Sequence, residues 1–140
     1  MADPQEVIAS LKTGHQAIVN CIAEIQPLLR SYLSAKPKLR EFHKTLLAHF
    51  NLQNAALADR LSAHYVDNRE ALKMVEFLTV DLKDIKVRYL LFFEQHSGEL
   101  PDINARSFPK DFMSFAGLLL ARIKMEEDYL IPLISKLPHM

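Results

Sequence analysis

The sequence predicts an all-α protein, an antiparallel up-down-up-down four-helix bundle that fills a single domain over residues 1–140. Three observations predict it. Apolar residues recur at alternating intervals of three and four along four long stretches, the pattern of helices that bury one stripe at a shallow crossing angle. The composition is 49% hydrophobic with only three glycines, which suits compact helices better than loops or disorder. The links between the stretches are short, so successive helices are expected to lie antiparallel.

The first helix is expected from about Pro4 to about Leu33, opened by Asp3 as cap and Pro4 at the first helical position. Its stripe is Ile8, Leu11, Ile18, Ile22, Ile25 and Leu29, with His15 occupying one place in the series. Pro27 implies a kink in the last turns or an earlier end near Ile25. Ser34 to Pro37 reads as the first connection. The second helix follows from about Lys38 to Tyr65 through Leu39, Phe42, Leu46, His49, Gln53 and Ala56, with Phe50, Leu57 and Leu61 widening the stripe. Asn68 is the expected cap of a third helix, running from about Arg69 to Ser97 through Val75, Leu78, Leu82, Ile85, Tyr89 and Phe92 and ending at Gly98. Residues 99–107 form the longest loop. Ser107 then caps a fourth helix through Phe112, Phe115, Leu119, Arg122, Glu126, Tyr129 and Leu133, interrupted by Pro132.

Composition excludes several function classes. Seventeen basic and seventeen acidic residues cancel, so no global field draws the chain to nucleic acid or anionic lipid. No window approaches the ~20 uncharged apolar residues of a membrane span. The opening Met-Ala-Asp-Pro-Gln-Glu has neither the basic nor the apolar part of a secretion signal. The lone Cys21 cannot form an internal disulfide, which fits a reducing compartment, and a cytoplasmic protein is expected. The chain carries no phosphate-binding glycine loop, no nucleophile elbow and no Cys-x-x-Cys, so no enzyme is expected.

Chemistry concentrates in one layer. Reflecting each helix through its turn puts His15, the His49/Gln53 pair, the Leu82/Ile85 zone and the Arg122/Glu126 pair at about one height. Each of these positions also lies on its helix's apolar stripe. Buried polar groups left unpaired cost about 1–3 kcal/mol apiece and charges more, so the five must be satisfied together. A metal ion could take nitrogen from His15 and His49 and oxygen from Glu126, with Gln53 as a weaker donor. Alternatively, Arg122 neutralises Glu126 four residues on while both histidines join a hydrogen-bond network.

The motif His49-Phe50-x-x-Gln53 is similar to the His-Phe-x-x-Glu element of hemerythrin-like domains (the HHE cation-binding family). Arg122-Ile-Lys-Met-Glu126-Glu127-x-x-Leu130-Ile131-Pro132 resembles their His-x-x-x-Glu-Glu-x-x-Leu-Phe-Pro ending, and His15 matches the histidine of their first helix. The resemblance implies a bundle around a non-haem di-iron centre that binds oxygen, stores iron or senses either. The departures revise that implication. Gln53 stands for a bridging carboxylate, Arg122 for a histidine ligand, and the third helix offers Leu82 and Ile85 where histidines belong, with Asp81, Lys83 and Asp84 off the stripe. A metal-free network is therefore the first expectation, a single Fe or Zn ion on His15, His49 and Glu126 the second, and a di-iron centre the last.

A second resemblance rests on Leu120-Ala-Arg122-x-x-x-Glu126-Glu-Asp128-x-Leu130-Ile131 with Leu39-x-x-Phe42, which looks like anti-sigma regulators of the Rsd/AlgQ type. Those helical proteins grip a sigma factor without metal. The expected function is accordingly a non-catalytic binding or regulatory module with a protein partner. A metal, oxygen or iron sensor and an anti-sigma-type regulator are the alternatives. Elsewhere, His43 and His96 approach one another by reflection and could form a surface site with Glu94, but read first as solvated histidines. Phe92, Phe93, Phe108, Phe112 and Phe115 read as an aromatic end-layer before they read as a ligand pocket.

Overall fold

The computed structural model describes residues 3–96 and 106–138, and these are all-helical and turn, with no strand among them. Helix α1 spans Pro4–Ile25, α2 Tyr32–Leu52, α3 Ala55–His64, α4 Arg69–His96, α5 Phe108–Met125 and α6 Ile131–Ser135. A 3₁₀ turn at Gln26–Leu28 follows α1, and a π turn at Glu126–Leu130 joins α5 to α6. Four helical limbs result: α1, α2 with α3, α4, and α5 continued through the π turn into α6. The predicted helix end at Gly98, residues 99–105 of the predicted loop, and His139 lie outside the described residues.

Side-chain caps explain the starts of the first four helices. The Asp3 carboxylate accepts from the Gln5 amide at the start of α1, and the Asn68 side chain accepts from the Ala71 amide at the start of α4. Pro27 falls inside the 3₁₀ turn and α1 ends at Ile25, the earlier of the two outcomes that Pro27 implied and short of Leu33. The chain then re-enters a helix sooner than expected. Ser31 accepts from the Ser34 amide and starts α2 at Tyr32, which leaves Pro37 inside the helix where a connection was predicted. Proline in the second turn forfeits one backbone bond without stopping the helix.

Two breaks change which side chains are buried. The predicted second helix is interrupted at Gln53–Asn54, where the Asn54 side chain caps α3 through the Leu57 amide. Beyond the break Leu57 and Leu61 are buried as the stripe predicts, while Ala56, placed on the same stripe, is exposed. The π turn shifts the stripe in the last limb. One extra residue per turn moves the buried face from the predicted Tyr129 and Leu133 to Leu130, Ile134 and Leu137, and Tyr129 is about half exposed at 49%.

The apolar interior is divided in two. The larger cluster joins Ile18, Ile22, Phe42, Leu46, Leu82, Tyr89, Phe92, Phe112, Phe115 and Leu119 with their neighbours. The smaller joins Ile8, Leu11, Leu57, Leu61, Val75, Leu78, Leu130 and Ile134. On each limb the change from one cluster to the other falls at a corresponding place: between Leu11 and Ile18, between Phe50 and Leu57, between Leu78 and Leu82, and between Ile123 and Leu130. His15, Gln53 and Glu126 occupy that boundary on three of the limbs, His49 and Arg122 stand immediately before Phe50 and Ile123 at its edge, and all five are buried.

Candidate functional site: a carboxylate with four donors

Glu126 is the centre of this layer. It is the first residue of the π turn and is 1% exposed. Its Oε1 accepts from His15 Nε2 at 2.7 Å and from His49 Nε2 at 2.9 Å. Its Oε2 accepts from Gln53 Nε2 at 2.9 Å and from Arg122 Nε at 2.7 Å. An ionised carboxylate offers about four lone-pair positions, and here four side chains fill them. Burial alone would push the Glu126 carboxyl up. The hydrogen bonds from His15 and His49, followed by the positive potential of His49 and Arg122, outweigh it and hold the group well below the usual carboxylate range.

Arg122 is the second hub. Beyond its bond to Glu126, Nη2 donates to Gln53 Oε1 at 2.9 Å, and Nη1 donates to the Leu78 carbonyl at 2.9 Å and to Asp81 Oδ2 at 3.0 Å. These contacts orient the Gln53 amide, since its oxygen must face the guanidinium and its nitrogen the carboxylate. Gln53 can reach both because the chain leaves helical geometry at that residue, at the C-terminus of α2. Asp81, off the apolar stripe of α4, was not among the predicted site residues. It lies at the rim with its side chain 32% exposed, and supplies a second anion to the buried cation.

The two imidazoles lie with centroids 4.9 Å apart and planes tilted by 58°. Both direct Nε2 at a carboxylate oxygen, which only accepts, so Nε2 carries a proton on each ring. Their Nδ1 atoms are buried without a hydrogen-bond partner among the described residues. The nearest acidic atom to His15 Nδ1 is Glu127 Oε1 at 3.9 Å, beyond hydrogen-bond reach. Gly14 explains how α1 comes so close to His49: a Cβ there would stand 2.6 Å from His49 Nδ1.

His15, His49 and Glu126 also form the one group of three or more His, Cys, Asp or Glu among the described residues that could hold a metal ion, with ligand atoms all within 4.8 Å of one another. His43, His96 and Glu94 form no such group. His43 Nδ1 bonds the Tyr89 hydroxyl and its ring stacks on Phe93 with centroids 4.0 Å apart. His96 is not solvated as predicted. It is 2% exposed, packs against Phe92 and Phe108, and bonds Asp111 Oδ2 at 2.9 Å. The start of α5 covers the end of α4, which reflection of sequence positions does not reveal.

The aromatic residues near that end form a packed layer, with Phe92 and Phe115 stacked at 5.7 Å and Phe108 against Phe112 at 6.1 Å. A cavity of about 100 Å³ adjoins it between α2 and α4, bordered by Leu39, Phe42, Tyr89, Phe92, Phe93 and His96. Cys21 is partly buried, and burial pushes its thiol up, away from the reactive thiolate. No helix among the described residues is long and apolar enough to cross a membrane. Comparison of the chain with protein-family models, with curated proteins and with solved structures returns no match.

Proposed function

We propose that this chain is a non-catalytic binding or regulatory module on a hemerythrin-like, up-down-up-down plan, in which Arg122 does the electrostatic work of a missing cation. The observation that carries this reading is the complete occupation of the Glu126 carboxylate by His15, His49, Gln53 and Arg122. A buried carboxylate needs a compensating positive charge, and the guanidinium 2.7 Å away supplies it. The residues fit a di-iron centre poorly. Three donor side chains are too few for two irons, and a divalent ion added beside Arg122 would leave excess positive charge in an apolar interior. Metal-bound histidines also normally donate their second ring nitrogen to an acceptor, and neither Nδ1 has one among the described residues.

A second reading draws on the convergence of His15, His49 and Glu126: one Fe or Zn ion held by three ligands, in a metal, oxygen or iron sensor. Such an ion would need Nε2 of both histidines deprotonated and the carboxylate partly released from its donors. An anti-sigma-type regulator is a special case of the first reading, with a sigma factor as partner. A protein partner is supported by the apolar side chains that α4 exposes on its outer face.

Elemental analysis of untagged protein, purified without chelator, separates the two. Folded protein with less than about a tenth of an equivalent of Fe or Zn is the expected result. Near-stoichiometric zinc without colour, or iron with ligand-to-metal absorption bands, would replace the first reading by the second.

A further inference from the structure

Helix α4 turns its buried row, Val75, Leu78, Leu82, Ile85, Tyr89, Phe92 and His96, toward the core. At 100° per residue, Val80, Val87 and Leu91 fall on the opposite pole and Phe77 beside it. These side chains are 66%, 56%, 55% and 53% exposed, and Leu90 on the flank is 51% exposed. The positions 77, 80, 84, 87 and 91 alternate by three and four, the seam of a coiled coil, with Asp84 as its one polar member. Roughly half of five large apolar side chains amounts to about 400 Å² of exposed apolar surface along one helix, interrupted at its middle by Asp84 and comparable to the largest patch of an ordinary monomer.

The charges around this seam have a direction. Lys73 precedes it, Glu94 follows it, and Lys83 and Asp84 stand at its middle. Lys73, Lys83 and Glu94 have no ion-pair partner among the described residues of their own chain, while Asp84 is bound by Arg88 at 2.9 Å on the exposed surface. A second copy laid antiparallel, related by a two-fold axis near residues 83 and 84, brings together positions whose numbers sum to about 167. Phe77 then meets the partner's Leu90 and the partner's Leu91, and Val80 meets the partner's Val87. Lys73 meets the partner's Glu94, and Lys83 meets the partner's Asp84. Symmetry repeats each of these pairs; Glu76, also exposed on the outward face, falls opposite the partner's Leu91 and must turn to the rim of the interface. A parallel copy would instead set Lys73 against Lys73 and Glu94 against Glu94.

We infer that the exposed face of α4 is an isologous dimer interface, and that its occupant is a second copy of this chain in antiparallel register. The inference rests on the reading of the chain as a binding module and names one partner. Two such faces with their flanking lysine and glutamate stems bury on the order of 1,000 Å², at the lower bound of a specific interface, so a dissociation constant in the micromolar range is expected.

The test is sedimentation velocity of the full chain from 1 to 100 µM, beside three variants. The unmodified chain is expected to dimerise across this range. Val80→Glu with Val87→Glu is expected to be monomeric with an unchanged circular dichroism spectrum. Lys73→Glu should weaken the dimer about tenfold or more, and Lys73→Glu with Glu94→Lys should restore it, which a merely misfolded variant would not do. Asp84→Cys in a Cys21→Ser background should give a disulfide-linked dimer on mild oxidation, because position 84 lies beside the axis. A monomer at 100 µM overturns the inference and leaves the stripe to a different protein. A dimer that survives the double glutamate variant, or that fails to cross-link at position 84, also overturns it by moving the interface elsewhere. Metal found in the core would overturn the metal-free reading and leave the dimer standing.

Discussion

Removal of Arg122 is the most direct challenge to a guanidinium in the role of a cation. The side chain is 3% exposed and donates to Glu126, Gln53, Asp81 and the Leu78 carbonyl. Truncation to alanine leaves Glu126 buried with its charge and three neutral or titratable donors, and strips the Gln53 oxygen of its donor. The Leu78 carbonyl loses only a supplementary bond, and Asp81 can turn to water. Breaking one partner of a buried pair costs about 3–5 kcal/mol, against a total stability of roughly 5–15 kcal/mol for a domain. For a chain of this length that is a fall in Tm of roughly 10–20 °C. Urea unfolding followed by circular dichroism at pH 7 measures it. Because alanine also leaves a void, Arg122→Met, which keeps the aliphatic volume, should cost nearly as much. A cycle with Glu126→Gln should return a coupling of about 2 kcal/mol or more. A loss below about 1 kcal/mol for Arg122→Met, or no coupling to Glu126→Gln, would refute the pairing as the device that keeps this carboxylate in the core.

Three further outcomes follow from the same geometry. Glu126 has a folded pKa below its ordinary value of 4.5, so its contribution is complete above about pH 4.5 and is lost as pH falls toward the folded value. Stability should therefore drop in acid by up to about 1.4 kcal/mol per pH unit for this one group, and Glu126→Gln should flatten that slope in urea titrations run between pH 2.5 and 5. Gly14→Ala should destabilise by about 1–3 kcal/mol, in spite of alanine's better helix propensity, because the new methyl meets a histidine ring already tied to Glu126; a stabilised variant would mean that α1 can move away freely. In the last limb, Leu130→Ala should cost about 2–4 kcal/mol and Tyr129→Ala under 1 kcal/mol, and equal losses in thermal melts would contradict the register set by the π turn.

What the sequence made legible was the layer, and periodicity is the reason. A polar residue that replaces an apolar one in a stripe of threes and fours must enter the core, so His15, His49, Arg122 and Glu126 could be placed inside by counting alone. Helix existence was legible on the same ground. Boundaries were not, because they depend on competition between signals of similar strength. Ser31 captured the start of α2 although Pro37 pointed to a later one, and Asn54 split a stripe that otherwise reads as continuous. Asp81 escaped because a rim residue carries no periodic signature; its clue was only that it lies next to Leu82, at the height of the layer.

The π turn shows why the missed irregularities matter to the chemistry. Counting in steps of three and four from Phe112 reaches Arg122 and Glu126 correctly, then goes wrong by one residue at Tyr129. The slip begins at Glu126 itself, the first residue of the turn. Insertion of one residue lets the last limb re-bury Leu130 and Ile134 in the smaller apolar cluster, while Arg122 and Glu126 keep the four-residue spacing that sets a guanidinium against a carboxylate. The break at Gln53 works in the same sense on the second limb: it ends α2 where the amide must turn to both Arg122 and Glu126, and restarts the stripe at Leu57. Both departures from regular helix thus fall at the polar layer, and each joins the network to the smaller cluster. A layer of five polar side chains has stricter distance requirements than apolar packing, since a hydrogen bond is lost within about half an ångström, and the backbone yields where those requirements are imposed.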